Sequence, residues 1–236
     1  MKLKSILSQV ALALGTVVLM GTTSVASAAA VINGSDFTNG QPSQVIGGLN
    51  WTIAPGGTFQ KKTMGGFTGV GISGGRTGDE IDIGEYLTGT AVSGTFGIAG
   101  FTLGVLFDGP EFGDYNEIAQ ITAVRQGGGS IIHTLRADTA TTAIWSGTGD
   151  LANLSQAADG SGAVWALTGN PFGSYTDFVS ISFTALTSTF CDYQSCNNQS
   201  DFTLVQLKTT DVPEPASLAL LGLGLVGLAA ARRRKA

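Results

Sequence analysis

Charged side chains are scarce in this sequence, and positive ones are the scarcest. Lys and Arg together number 12 and Asp and Glu 17, which is 12% of the chain, and there is one histidine. Proteins that bind nucleic acid need clustered cations, so this composition argues against that class. Two cysteines and one histidine also supply too few sulfur and nitrogen ligands for a zinc site.

Long apolar runs are absent except at the two chain ends. Residues 1–30 begin with Lys2 and Lys4, continue with the mostly apolar Ile6–Met20 and finish in small residues that include an Ala-x-Ala pattern. This order predicts a secretory signal peptide that signal peptidase removes. The alternative is an uncleaved N-terminal anchor, which the short apolar run and the cleavage pattern disfavour.

The other chain end combines three features in a fixed order. A Pro-Glu-Pro triplet precedes the uncharged run Ala216–Ala231, and four cations follow it. Prolines interrupt strands and helices, so the folded body must end before the triplet. At about 1.5 Å per residue the run would form a helix of roughly 24 Å, at the short end for a membrane span. The triplet and the cations are Pro213, Glu214, Pro215, Arg232, Arg233, Arg234 and Lys235.

Residues 212–236 thereby resemble the PEP-CTERM sorting signal of Gram-negative bacteria. The resemblance implies export, transient anchoring in the inner membrane and recognition of the triplet by an exosortase, a membrane-embedded cysteine transpeptidase. The arginines would hold the C-terminus on the cytoplasmic side. The runs GVGISGGRTGDEIDIGEYL and LGVLFDGPEFGDYNE more weakly resemble the bodies of other PEP-CTERM proteins of undefined activity, and they carry no catalytic residue across.

Residues 31–211, between the two signals, are predicted to form one acidic domain. They keep six of the 12 cations and sixteen of the 17 acids, a net charge of about −10. A domain of this size buries roughly 70% of its unfolded surface. Its acidity suits an extracellular protein or one that binds divalent cations.

Apolar residues of the body alternate with polar ones or form short runs between Gly, Asn and Asp. This pattern predicts an all-β fold, a single jelly-roll-like β-sandwich. Only Asp150–Ala158 favours a short helix or irregular turn, and alternation predicts that Phe178 faces opposite to Ile181 and Phe183. The predicted strands are Trp51–Ala54, Phe67–Ser73, Phe101–Phe107, Ile118–Arg125, Ser130–Arg136, Ala143–Ser146, Ala163–Thr168, Phe178–Ala185 and Phe202–Lys208.

The two cysteines, Cys191 and Cys196, are predicted to form a local disulfide in the exported chain. Closing a loop of about six residues would stabilise the fold by roughly 2 kcal/mol. The spacing differs from that of a Cys-x-x-Cys redox site.

Two acidic segments are candidate calcium sites. In the first, an extended chain would place Glu80 and Asp82 on one face and Ile81 and Ile83 on the other. Calcium takes six to eight oxygen ligands from flexible loops, although neither segment fits an EF-hand. Solvated acids at strand edges are the alternative, and a carboxylate pair for glycoside hydrolysis is a further one. The candidate ligands are Asp79, Glu80, Asp82, Glu85, Asp108, Glu111, Asp114 and Glu117.

Two glycine motifs resemble enzyme fingerprints. Residues 71–75 match Gly-x-Ser-x-Gly, with Ser73, Asp108 and His133 in the chain order of an α/β-hydrolase triad. Residues 69–74 match the dinucleotide-binding Gly-x-Gly-x-x-Gly. Both motifs require a helix directly after a strand, and no helix is predicted there. The three tryptophans lie in apolar strand context, which favours core packing over a sugar-binding platform.

The sequence thus predicts an exported, exosortase-processed protein of the cell surface or extracellular matrix without catalytic activity. A carbohydrate- or calcium-binding module on the same scaffold, with exopolysaccharide as partner, is the first alternative. A secreted hydrolase is the second. No cofactor other than calcium is expected.

Overall fold

The structure is a computed structural model that describes residues 29–108, 116–155, 164–188 and 200–210. These residues form fourteen strands and one 3-10 helix, Gly34–Asp36, and contain no α-helix. The strands are β1 (Val31–Asn33), β2 (Ser43–Ile46), β3 (Leu49–Ile53), β4 (Phe59–Met64), β5 (Phe67–Ile72), β6 (Leu87–Ala91), β7 (Gly97–Gly104), β8 (Ile118–Arg125), β9 (Ser130–Thr139), β10 (Thr142–Trp145), β11 (Asp150–Asn153), β12 (Trp165–Thr168), β13 (Phe178–Leu186) and β14 (Thr203–Thr210).

The strands form two seven-stranded antiparallel sheets. Sheet A has the order β11-β12-β7-β14-β5-β4, with β1 paired to β14, and sheet B has the order β10-β9-β8-β13-β6-β3-β2. Their inner faces share one core, in which the ring of Phe101 from sheet A lies 5.9 Å from that of Phe183 from sheet B. The predicted all-β sandwich is confirmed.

Aromatic side chains fill much of this core. Trp51 and Trp165 are 0% and 1% exposed, as predicted, whereas Trp145 is partly buried and packs against the core. The indole N–H of Trp165 donates to the carbonyl of Leu106 at 2.9 Å, so its polar atom has a partner inside the protein. Fully burying a large apolar side chain contributes roughly 1.5–3 kcal/mol, which makes these rings main supports of the sandwich.

The short 3-10 helix lies directly against sheet A. A Cβ atom on Gly34 would sit 2.6 Å from the carbonyl oxygen of Thr68 and 2.7 Å from the Cα of Gly69. Any side chain at position 34 would collide with the backbone of β5, so this packing requires glycine there.

All nine predicted strands are present, and β8 has the predicted bounds. Five further strands, β1, β2, β4, β6 and β11, were not predicted. The prediction of a helix or turn for Asp150–Ala158 is wrong over Asp150–Asn153, because these residues pair with β12. The strand predicted to reach Phe107 ends at Gly104, where Val105 turns into the left-handed region with φ 64°.

The predicted orientation of Phe178 is wrong. Phe178 is fully buried together with Ile181 and Phe183. The register of β13 against β8 shifts between Phe178 and Ser180, so one extra residue returns Phe178 to the core face. A bulge of this kind changes which residues share a face, and strict alternation fails there.

Several predictions fall outside the described residues. They are the signal peptide up to residue 28, the cysteine pair, the triplet, the apolar run and the terminal cations. Among the residues that are described, no helix is long and apolar enough to cross a membrane.

Candidate functional site: a buried carboxylate cluster

Three carboxyl groups meet inside the sandwich. Glu80, Glu117 and Asp201 are 2%, 4% and 5% exposed. We call these three residues the carboxylate cluster. Acids are seldom this deeply buried without partners, so their surroundings must satisfy them.

Backbone hydrogen bonds bring these distant chain segments together. Ile81, next to Glu80, donates its N–H to the carbonyl of Phe202 at 2.7 Å. Ile118 begins β8 directly after Glu117, and its N–H donates to the hydroxyl of Ser200 at 3.2 Å. The cluster therefore joins the segment after β5 to the starts of β8 in sheet B and β14 in sheet A.

The carboxyl groups are hydrogen-bonded to one another. Asp201 forms side-chain hydrogen bonds with both Glu80 and Glu117. Two ionised carboxylates are acceptors only, so a bond between two carboxyl groups needs a proton on one of them. These bonds and the raised pKa values of Glu80 and Glu117 therefore favour protonated carboxyl groups inside the protein.

One cation and one backbone amide complete the cluster. The Nζ atom of Lys62, on strand β4, lies 2.5 Å from Oε1 of Glu80 and 3.2 Å from Oδ1 of Asp79. The N–H of Phe107 donates to Oε2 of Glu117 at 2.5 Å. Lys62 thus places an ammonium group against the carboxyl of Glu80, and the raised pKa values of Glu80 and Glu117 show that protonation also reduces the negative charge.

The environment raises the pKa values of Glu80, Glu117 and Lys62. Burial and the neighbouring Asp201 raise the pKa of Glu80 to about 8, against the opposing effect of Lys62. Burial and Asp201 also raise the pKa of Glu117 well above its ordinary value. Burial alone would lower the pKa of Lys62, but its bonds to Glu80 and Asp79 outweigh that effect and raise it.

The geometry favours proton sharing over turnover. A carboxylic acid with a raised pKa is the type of group that serves as a general acid, but it must also reach a substrate. At 2–5% exposure these three side chains have almost no contact with solvent. Their arrangement suits a neutral, hydrogen-bonded link between strands.

Two other acids of the first predicted calcium segment, Asp82 and Glu85, form hydrogen bonds within their own loop. Asp82, 5% exposed, accepts the N–H of Thr77 at 3.0 Å, and its own N–H donates to Oε2 of Glu85 at 3.0 Å. Ile81 is fully buried and Ile83 is 37% exposed, so the predicted division into an acidic and an apolar face is wrong. Burial raises the pKa of Glu85.

The calcium prediction itself stays a prediction. Within the described part of the chain, no three Asp, Glu, His or Cys side chains are grouped as metal ligands would be. Asp79 and Asp108 are partly exposed, whereas Glu111 and Asp114 lie outside the described residues.

The residues of the hydrolase alternative have separate partners. The hydroxyl of Ser73 lies 2.6 Å from that of Thr58, and Nδ1 of His133 lies 3.3 Å from the hydroxyl of Ser146. Among the described residues, no hydrogen bond joins Ser73 to His133. The ring of His133 also contacts Trp145 and Phe172, both at 5.2 Å between centroids, which gives it a packing role.

Two members of this site were missed by the sequence analysis. In the sequence, Asp201 lies 121 residues from Glu80 and Lys62 lies 18 residues from it. Neither residue shares a motif with Glu80, and no local pattern marks Asp201. The only available hint for Lys62 is that cations are rare in the body. Glu80 and Glu117 were chosen as exposed calcium ligands, and the structure buries both.

Comparison with known proteins identifies a sequence motif in residues 211–235. Residues 211–235 match the family model of the PEP-CTERM protein-sorting motif, which confirms the resemblance seen in the sequence. No curated protein and no solved structure gives a significant match. The described body is a two-sheet sandwich, and the sorting motif follows it in the chain. The PEP-CTERM motif implies export and exosortase-dependent delivery to the surface or exterior of a Gram-negative cell.

Proposed function

We propose that this protein is an exosortase substrate whose β-sandwich body acts at the cell surface or in the extracellular matrix without catalysing a reaction. The observation that carries the proposal is the sorting motif at residues 211–235. The last strand, β14, ends at Thr210, so the motif follows the folded body without a linker. Before cleavage the body would therefore stand close to the inner membrane.

The triplet is suited to processing. Two prolines hold the backbone extended and leave it unpaired, as a protease requires of a segment that it cleaves. A permanent anchor needs only apolar length and flanking charge. The apolar run is thus proposed as a temporary anchor, with signal peptidase and an exosortase as successive partners.

The burial and the hydrogen bonds of the candidate catalytic side chains support a role without catalysis. The carboxylate cluster is buried and internally hydrogen-bonded, and Ser73 and His133 bond to different hydroxyls. These arrangements are those of structural residues.

The test follows a tagged full-length chain in a host that has an exosortase. An epitope placed in the exposed turn at Gly127–Gly129, where a side chain meets no other atom, avoids both signals. Replacing Pro213, Glu214 and Pro215 by alanine should leave a full-length protein in the inner membrane, while the parent becomes shorter and leaves it. Lys208→Ala, at an exposed position outside the motif, is the matched control and should behave as the parent does.

A host without an exosortase supplies the second comparison. There the parent should accumulate at full length, as the triple variant does. If the parent and the triple variant fractionate alike at full length in the exosortase host, the proposal is wrong.

A further inference from the structure

The first and last residues of the described body lie side by side. The N–H of Thr209 donates to the carbonyl of Ala30 at 2.9 Å, and the N–H of Ala30 donates to Oγ1 of Thr209 at 3.0 Å. Because β1 and β14 are antiparallel, β1 begins where β14 ends. The predicted signal peptide and the sorting motif, which starts at residue 211, therefore both join the body at one end of the sandwich.

Two turns of sheet B lie beside the start of β1. A Cβ atom on Gly47 would lie 3.1 Å from the Cβ of Ala30, so the turn after β2 contacts the beginning of the described chain. The N–H of Val92 donates to the carbonyl of Gly48 at 3.0 Å, which brings the turn after β6 to the same place.

The loop before β13 reaches the end of β14. Thr210, the last residue of β14, pairs with Gly97, and a Cβ atom on Gly97 would lie 3.3 Å from Cγ2 of Thr176. The loop and the two turns thus surround the point where the chain leaves the body. We call the surface formed by residues 29–31, 47–48, 92–96, 173–177 and Thr210 the exit end.

The exit end is almost uncharged. Among its residues Asp177 is the one charged side chain, and its Oδ2 lies 2.9 Å from Nη2 of Arg125, the last residue of β8. This ion pair adds no net charge to the surface.

The opposite end of the sandwich is acidic. It is the end where β14 begins at Thr203, and it holds the carboxylate cluster. It also carries the acids Asp79, Asp82, Glu85, Asp108 and Asp138 and the cations Lys62, Arg76 and Arg136. Every phospholipid carries a phosphate group, so an acidic surface is repelled by a bilayer, whereas the exit end is not.

Exposed apolar side chains stand around the exit point. Val31, Val92 and Tyr175 are 57%, 60% and 44% exposed. The Cζ atom of Arg125 lies 4.3 Å from the centre of the Tyr175 ring. Tyrosine is enriched at the headgroup level of membranes, and arginine can keep its charge in water while its stem contacts apolar groups. The exit end therefore has the composition of a surface that meets lipid headgroups.

The chain itself holds this surface at the bilayer. Five residues, 211–215, separate Thr210 from the apolar run that begins at Ala216. Even fully extended, this stretch reaches only about 20 Å, which is less than the length of β14, about 25 Å. A short tether gives a high effective concentration, so a contact too weak to bind a free protein becomes populated. Connectivity thus selects lipid as the occupant of the exit end.

We propose that the exit end is a membrane-contact surface, seated on the inner membrane while the chain is anchored, with the acidic end pointing away. The inference rests on the proposed function, because the apolar run supplies the anchor. Seating would also keep Pro213, Glu214 and Pro215 at the membrane surface, within reach of a membrane-embedded enzyme.

The test uses tryptophan reporters at two similarly exposed tyrosines. Tyr175 lies at the exit end, and Tyr86, 39% exposed, lies at the acidic end, before β6. Full-length protein from a host without an exosortase is reconstituted in phosphatidylcholine vesicles, with or without bromine on the acyl chains near the headgroup. The emission of the parent is subtracted. Brominated lipid should quench the emission added by Tyr175→Trp at least twofold and leave that of Tyr86→Trp unchanged.

A pair of charge variants tests the contact itself. Val92→Asp, placed in the Tyr175→Trp chain, should reduce the quenching because it sets a carboxylate against the headgroups. Leu154→Asp, at an exposed apolar position next to β11, is the matched control and should leave the quenching as it was. Val31→Trp is a second reporter at the exit end and should be quenched as Tyr175→Trp is.

Equal quenching at both ends, or none at the two exit-end reporters, overturns the proposal. So does shielding of these reporters that appears only at high protein-to-lipid ratio, since a second copy would then be the occupant. Flotation of the vesicles reports the anchor separately. Protein that floats without quenching overturns the contact and leaves the sorting proposal intact, whereas protein that does not float overturns both.

Discussion

The carboxylate cluster and the outward face of sheet B, at Thr88 and Ser182, place polar groups contrary to their usual preference. Acids, which normally face water, lie in the interior at Glu80, Glu117 and Asp201, while the outer surface at Thr88 and Ser182 carries no charge. The difference shows that hydrogen-bond satisfaction decides what can be buried. The cluster is tolerated because shared protons and Lys62 leave few of its oxygens without a partner.

The two regions should therefore respond very differently to mutation. Truncating a member of the cluster leaves a buried partner without its hydrogen bond, whereas truncating a side chain such as Thr88 on the outward face of sheet B only exposes that position further to water. Removing a buried partner costs about 1–3 kcal/mol, and most surface substitutions stay within about 0.5 kcal/mol.

The largest effect is expected for Glu117→Ala. The change removes the acceptor of the Phe107 N–H and leaves a cavity beside Asp201, so the free energy of unfolding should fall by roughly 3 kcal/mol. Urea unfolding at pH 6 measures this fall, with Thr88→Ala on β6 of sheet B as the comparison. A loss as small as that of Thr88→Ala would mean that the cluster does not support the fold.

The next effect is a loss of stability with rising pH. The folded pKa of Glu80 is about 8, above its ordinary 4.5, so the folded protein holds a proton that the unfolded chain releases. This contribution is full below about pH 4.5 and is lost as the pH rises through 8. Because one pKa unit corresponds to about 1.4 kcal/mol, we expect a fall of a few kcal/mol between pH 5 and pH 9.

Glu80→Gln should flatten this profile. Glutamine keeps a donor for Asp201 and an acceptor for Lys62 but does not titrate. Asp150→Asn, at an exposed acid on β11, is the control and should leave the slope as it is in the parent. Denaturant midpoints at five pH values give the answer, and equal slopes for the parent and Glu80→Gln would contradict the assignment.

The strands were largely predictable from the sequence, and the cluster was not. In β8, apolar and polar residues alternate from Ala119 to Ala123 and Ile118 and Arg125 flank that stretch, so its bounds were found. β4 was missed because Lys61 and Lys62 interrupt its apolar pattern, which is what an edge strand of sheet A permits. β11, with the sequence DLAN, is too short and polar to give a periodic signal.

The cluster depends on contacts between residues far apart in the chain. Asp201 meets Glu80 and Glu117 only because β14 and β8 start at the same place in the fold, and no local pattern records that. Density of acids in the sequence suggested exposed metal ligands. Two of these acids, Glu80 and Glu117, are instead buried and share protons with Asp201. Burial distinguishes such acids from exposed metal ligands, and the sequence does not show which acids are buried.

Calcium binding would distinguish the buried acids of the carboxylate cluster from the partly exposed acids Asp79 and Asp108. Calcium needs ionised, accessible oxygens, so the partly exposed Asp79 and Asp108 are better suited to it than the cluster. A site with a dissociation constant of about 0.1 mM would stabilise the fold by roughly 2.7 kcal/mol at 10 mM calcium. We expect a higher melting temperature with calcium than with equal sodium ionic strength, reduced in Asp108→Asn and unchanged in Asp36→Asn. No shift would leave these acids as a solubilising surface.

The smallest effect is expected where a charge is added to the outward face of sheet B. In Thr122→Lys the new ammonium group would stand on the outward face of β8, opposite Ser182 on one side and Ile132 on the other. The Lys side chain reaches water from there, so the free energy of unfolding should change by no more than about 0.5 kcal/mol. Thermal unfolding of the variant beside the parent measures the change. A stability loss as large as that of Glu117→Ala would show that this face is packed rather than open, and it would remove the contrast with the cluster.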